Sequence, residues 1–124
     1  NISQSELPFL KKNKSRINIF WAKDKSKWDF KKFKKLIKNK TVYLTFDVDG
    51  LDSSIMPATG TPEPGGLLWE ETLNIIKIAS KNSNIVGADI NELSPIKGFN
   101  SYNFLVAKLA YKIISYSFEF KKRF

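Results

Sequence analysis

Leu44-Thr45-Phe46-Asp47-Val48-Asp49-Gly50-Leu51-Asp52 decides how this chain reads. Thr41 to Phe46 is β-branched and aromatic, the composition of a buried strand. The run ends in two carboxylates, Asp47 and Asp49, and a third, Asp52, follows just past a glycine. Strand alternation places Asp47 and Asp49 on one face. They fall at the C-terminal tip, where open α/β sheets hold their ligands. Two anions this close repel unless a cation lies between them, and a divalent metal, or a pair of them, supplies it.

Downstream, residues 50–66 hold four glycines and three prolines (Pro57, Pro62 and Pro64), a long loop with rigid turns. Loops of this length inside a compact domain are usually functional. Leu73, Ile76 and Ile78 predict a helix from Leu68 to about Lys81. Ile85 to Ile90 reads as another buried strand, and it runs into Asn91 and Glu92, so a carboxylate again sits at a strand tip. Ser101 is expected to cap a last helix through Tyr116, with Phe104, Leu105, Leu109, Ile113 and Ile114 facing in.

Upstream, Ser5-Glu6-Leu7-Pro8 begins a short helix or turn that reaches about Lys12. Ile17-Asn18-Ile19-Phe20-Trp21 alternates as a strand would. Trp28, Phe30, Phe33, Leu36 and Ile37 take helical spacing over residues 27–39, with lysines on the other side. The expected order is βαβαβα, hence a parallel sheet with helical crossovers. The tips of its second and third strands bring Asp47, Asp49 and Glu92 to one edge.

A length of 124 residues allows one domain, and 42% hydrophobic with 14% aromatic residues argues for a folded one. The absence of cysteine excludes disulfides and thiolate metal sites. The absence of histidine excludes, for this chain alone, Ser-His-Asp triads and zinc hydrolase centres built on imidazole. The sequence assigns no general acid or base. No apolar run of about 18 residues is present, so no membrane span is expected. The chain opens on Asn1 rather than Met, which reads as a fragment or a processed chain in a cytoplasmic setting.

The net charge of +9 is uneven: residues 1–40 carry thirteen Lys/Arg against three acids, and residues 47–92 carry eight acids against two lysines. A basic module over residues 10–40 would bind nucleic acid with steep salt dependence. Nineteen of the 21 basic residues are lysine, however, and arginine is the usual reader of phosphates and bases. The basic stretch is therefore read as a solvated helix face, with neither nucleic acid nor membrane as partner.

Four blocks carry a resemblance: Asp47-Val48-Asp49-Gly50-Leu51-Asp52, Pro57-Ala58-Thr59-Gly60-Thr61-Pro62, Pro64-Gly65-Gly66-Leu67, and Asp89-Ile90-Asn91-Glu92-Leu93-Ser94-Pro95. In order and spacing they resemble the ureohydrolases, the arginases, agmatinases and their relatives. The resemblance runs through residues 1–124 and covers the C-terminal part of a single ureohydrolase domain. It implies a three-layer α/β/α fold around a parallel sheet, here a partial domain. It also implies a binuclear manganese site whose bridging hydroxide attacks a guanidinium or amidine carbon and releases urea. Asp47 then looks like the carboxylate bridging both metals and Asp49 like a ligand to one of them. Thr61 looks like a hydroxyl lining the substrate pocket, and Glu92 like the anion that pairs with the guanidinium. Gly60, Gly65 and Gly66 would let the backbone turn around that pocket. A small guanidino substrate, agmatine or arginine, is implied, and a homo-oligomer. The Pro62-Glu63-Pro64-Gly65-Gly66 stretch leans towards agmatinase-like members.

The family also uses a histidine and an Asp-Ala-His-x-Asp block from upstream strands, and neither is present here. Ser53 stands where many members have proline. At most two of about six metal ligands are in the chain. The alternative is therefore a metal-free, non-catalytic remnant or subunit of the same fold. Other residues have plain structural readings beside the functional ones. Asp52 is read as a loop cap. Asp89 either supports the site from within its strand or forms a structural salt bridge. Trp21, Trp28 and Trp69 are read as packing residues. Glu63 and Trp69 lie around the pocket loop, within reach of a substrate. A sheet edge left unpaired predicts marginal stability for these 124 residues in isolation.

Overall fold

The structure, a computed structural model, describes residues 2–121. Among them the regular elements are α1 (Leu7–Lys12), α2 (Phe30–Ile37), β1 (Thr41–Asp47), α3 (Trp69–Asn82), β2 (Asn84–Asn91) and α4 (Asn100–Glu119). Short 3-10 turns cover Gln4–Glu6, Ala22–Lys27 and Val48–Gly50. β1 and β2 are parallel neighbours, and the connection between them contains the pocket loop and α3. Parallel strands need such a crossover. The register pairs Thr45 with Asp89 and Asp47 with Asn91, after one irregularity between Val42 and Tyr43 that leaves Val86 out of the pairing.

The expected strand over Ile17–Trp21 does not form, so the order begins with helices rather than with β. Its apolar residues are used differently. The Phe20 ring packs edge-on against Trp28 (6.1 Å) and Phe33 (5.8 Å). The Trp28 indole nitrogen donates to the Trp21 carbonyl at 2.8 Å. Trp21 is itself exposed, so it is not the packing residue its composition implies. α2 is shorter than residues 27–39. Asp29 starts it, accepting from the Lys31 and Lys32 N–H groups, which leaves Trp28 outside. Its lysines face solvent, and its apolar side faces α3.

One face of the strand pair is covered. Leu44, Phe46 and Ile90 pack against Leu73, Ile76, Leu109, Ile113 and Tyr116 of α3 and α4. The other face, with Tyr43, Thr45 and Asp47, is exposed. α4 departs from expectation in two ways. Ser101 lies inside it, and Phe99 occupies the cap position without a side-chain bond. Phe104 (70% exposed) and Ile114 (57%) point outward. α4 is apolar on more than one side, so periodicity alone does not single out its buried stripe.

The glycine-proline loop has a core of its own. Val48, Leu51, Met56 and Ala58 are all fully buried, against Leu93 and the Tyr102, Leu105 and Val106 side of α4. Phe46 and Ile90 touch both cores and join them. The loop is thus fixed by apolar anchors as firmly as a regular element.

Candidate functional site

β1 delivers Asp47 as its last residue. The cross-strand partner of Asp47 is Asn91, so Glu92 leaves β2 one residue beyond it. Asp49 does not share the strand, contrary to the alternation argument. Val48–Gly50 is a 3-10 turn, closed by the Leu51 N–H to the Val48 carbonyl at 3.1 Å. The cause is the burial of Val48 and Leu51, three residues apart, under the loop, which requires a tight turn. Asp49 accepts a hydrogen bond from the Thr61 hydroxyl at 3.0 Å, so the turn and the far limb of the loop meet at this carboxylate.

Asp52 caps the loop. One carboxylate oxygen accepts from the N–H (2.9 Å) and the hydroxyl of Ser54, the other from the Gly65 N–H at 2.7 Å. These bonds favour the charged form, the Ser54 hydroxyl most, and hold the carboxyl at about 2. Backbone bonds close the same loop: Ser53 N–H to the Glu63 carbonyl, Asp52 N–H to Leu67, and Leu67 N–H to Gly50. Two glycines are demanded here. Gly65 takes φ +84°, and a Cβ on Gly66 would lie 2.5 Å from the Leu51 carbonyl carbon. Gly60 needs neither a positive φ nor a close approach.

The fourth block is tied in as well, by the Ser94 N–H to the Ala58 carbonyl at 2.8 Å. Glu92 takes φ 67°, a left-handed conformation that side-chain-bearing residues seldom adopt. On the open sheet face beside Asp47, Asp89 accepts from the Thr45 hydroxyl and from the Asn91 amide, each at 2.6 Å. The Thr45 hydroxyl first, then the Tyr43 hydroxyl and the Asn91 amide, lower the Asp89 carboxyl, and the Asp89 carboxylate in turn raises the Tyr43 phenol. Asp89 therefore supports the edge of the site through hydroxyls and an amide. A cavity of about 430 Å³ opens at Asp49 and Thr61, its wall completed by Glu63, Pro64, Ala22 and glycine backbone.

The sequence model of the arginase family matches residues 1–115. This chain belongs to the arginase family. It is 38% identical over 118 residues to the N(1)-aminopropylagmatine ureohydrolase of Synechocystis, covering 93% of this chain and 38% of that protein. It is 48% identical over 61 residues to Arginase-1 of Bos taurus, covering 49% of this chain and 19% of that protein. The crystal structure of the agmatine ureohydrolase of Thermoplasma volcanium superposes with a TM-score of 0.76 at 30% identity, over 94% of this chain and 39% of that one. The chain thus spans about two fifths of the length of the relatives it matches along most of its own residues.

Arginase-family membership makes a metal the first question to put to these residues. Asp47 and Asp49 are oxygen donors of the kind manganese and magnesium take. Among the described residues, no three His, Cys, Asp or Glu side chains come together in a way that could hold an ion. With no histidine in the sequence, this chain's own donors do not fit a complete centre. Among the described residues no helix is long and apolar enough to cross a membrane.

Sequence reading missed one feature of this site. Lys25, from the Ala22–Lys27 turn, donates to the Gly66 carbonyl at 2.7 Å and to Glu71 at 2.8 Å. Glu71 also accepts from the Leu68 N–H at 2.8 Å. Lys25 first, and that N–H second, hold the Glu71 carboxyl below its usual range. No local pattern marks Lys25 among thirteen basic residues in positions 1–40.

Proposed function

We propose that this chain is the C-terminal part of a ureohydrolase domain whose protein hydrolyses the guanidino group of agmatine or arginine to urea, in cytoplasmic arginine and polyamine metabolism. One observation carries the reading: four separate sequence blocks are joined at one sheet edge. Thr61 meets Asp49, Asp52 meets Gly65, Ala58 meets Ser94, and Asp47 pairs in register with Asn91 beside Glu92.

In this reading Asp47 and Asp49 would be the chain's contribution to a binuclear manganese site, which would supply an activated water for attack on the guanidinium carbon. Such a site would need further ligands besides these two. Glu92 pairs with the substrate guanidinium, for which a carboxylate offers a planar bidentate match. The Thr61 hydroxyl lines the pocket and fixes one Asp49 oxygen. The family resemblance further supports a homo-oligomer.

The test is urea release from agmatine and from arginine by the full-length protein supplied with manganese. Activity on one of them is expected, with loss in Asp47→Asn and in Glu92→Gln. A second reading, a metal-free subunit or remnant, is favoured by the absence of histidine from 124 residues. A cooperatively melting protein that releases no urea and takes up no manganese would establish it instead.

A further inference from the structure

We propose that Asn91 is a further substrate-binding residue at the strand tip, offering its amide carbonyl to the guanidinium that Glu92 pairs with. This rests on the reading above, which places the guanidinium at Glu92. A polar row on the open sheet face carries the inference. Thr45 pairs in register with Asp89, and Asp47 with Asn91, so these side chains share one face in successive rungs. The Asn91 amide nitrogen lies 2.6 Å from Asp89 Oδ1 and 3.5 Å from the Thr45 hydroxyl oxygen.

Those two neighbours decide which way the amide faces. An ionised carboxylate only accepts, so the Asn91 group that meets Asp89 is the NH2. The Thr45 hydroxyl gives its single proton to the same Asp89 oxygen at 2.6 Å, so it too offers Asn91 only a lone pair. The amide carbonyl is thereby turned away from Asp89, and among the described residues it accepts from nothing. Asn91 is exposed, with Asp47 across the strand pair and Glu92 next in the chain. A guanidinium carries five N–H groups, of which a bidentate carboxylate takes two. A neutral carbonyl beside Asp47 and Glu92 accepts another without adding an anion to the edge. The bond to Asp89 also pins the last residue of β2 before the left-handed turn at Glu92. Asp89 is thus a positioning residue that acts through Asn91.

The experiment compares the full-length protein with Asn91→Leu, Asp89→Asn and the double variant. Calorimetry gives Kd for agmatine and for arginine on the metal-free protein, where no turnover occurs. KM and kcat are then measured with manganese on whichever of the two is hydrolysed. Asn91→Leu raises Kd and KM about tenfold, the worth of one hydrogen bond to a charged group. Its kcat stays within about twofold, because the contact is made in the ground state and the transition state alike. Both compounds shift by the same factor, since the contact is to the group they share. Asp89→Asn lets the Asn91 amide turn over and raises both constants about threefold, but it changes neither in the Asn91→Leu background. That loss of additivity separates orientation of the amide from a general effect on the fold. Urea release with Kd and KM unchanged in Asn91→Leu overturns the role of Asn91 and leaves the ureohydrolase reading standing. Additive effects of the two substitutions overturn the positioning role of Asp89. No urea from either compound overturns the reading and this inference with it.

Discussion

Lys25 Nζ lies 2.7 Å from the carbonyl oxygen of Gly66, a contact spanning 41 residues of chain. Gly66 in turn presses on the Leu51–Asp52 backbone, so a lysine of the N-terminal segment holds the pocket loop shut against the turn that carries Asp49. Lys25→Met should leave Glu71 without its cation and free the Gly66 carbonyl. At 27% and 39% side-chain exposure the ion pair is partly screened, so the global cost is about 1 kcal/mol. The sharper readout is amide exchange, which should accelerate at Gly65 and Leu67 in Lys25→Met. Unchanged exchange there would mean that the clamp does not hold the loop.

Asp52 makes the loop sensitive to acid. Its carboxyl sits at about 2 in the folded chain against an ordinary 3.8, so the unfolded state binds the proton more readily. The contribution is complete above about pH 4 and is lost as pH falls towards 2. Thermal melting followed across that window should show a fall in stability, and Asp52→Asn should flatten it. An equal fall in Asp52→Asn would assign the acid response to other groups.

Met56 is fully buried beneath the loop. Met56→Ala leaves a cavity among Val48, Leu51 and Ala58 and should cost about 2–5 kcal/mol in denaturant unfolding. A cost under about 1 kcal/mol would show that this second core collapses around the gap or contributes little.

Val86, Ile114 and Phe118 are 61%, 57% and 71% exposed, along an apolar groove of about 350 Å³ between β2 and α4. Unpaired strand edges with apolar flanks recruit other chains. The 124-residue chain taken alone should self-associate in sedimentation velocity, and Val86→Lys should reduce that. A monomeric isolated chain would remove the expectation.

Elements whose signal is local were legible in sequence. Thr41–Asp47 and Asn84–Asn91 are β-branched runs, and Trp69–Asn82 has a clear apolar stripe. The four blocks around Asp47 were legible because their residue types are dictated by turns and charge. Ile17–Trp21 misled because alternation only states that every second residue wants cover. Here the Phe20–Trp28–Phe33 cluster gives that cover in place of a neighbouring strand. The loop core was invisible because Val48, Leu51, Met56 and Ala58 follow no period. Asp49 left the strand for the same reason, since burial under the loop set the path of the backbone. The Lys25 clamp depends on two segments 41 residues apart, which no window of sequence compares.

Glu92 stands in a backbone conformation that glycine would occupy at no steric cost and that any L side chain occupies at about 1–2 kcal/mol. A library screened only for heat resistance should therefore enrich glycine at position 92. The survivors would outlast their parent while missing the carboxylate at the strand tip. Durability and chemistry are rival selections at this one position, and retention of glutamate there in a culled population would report which of the two had been applied.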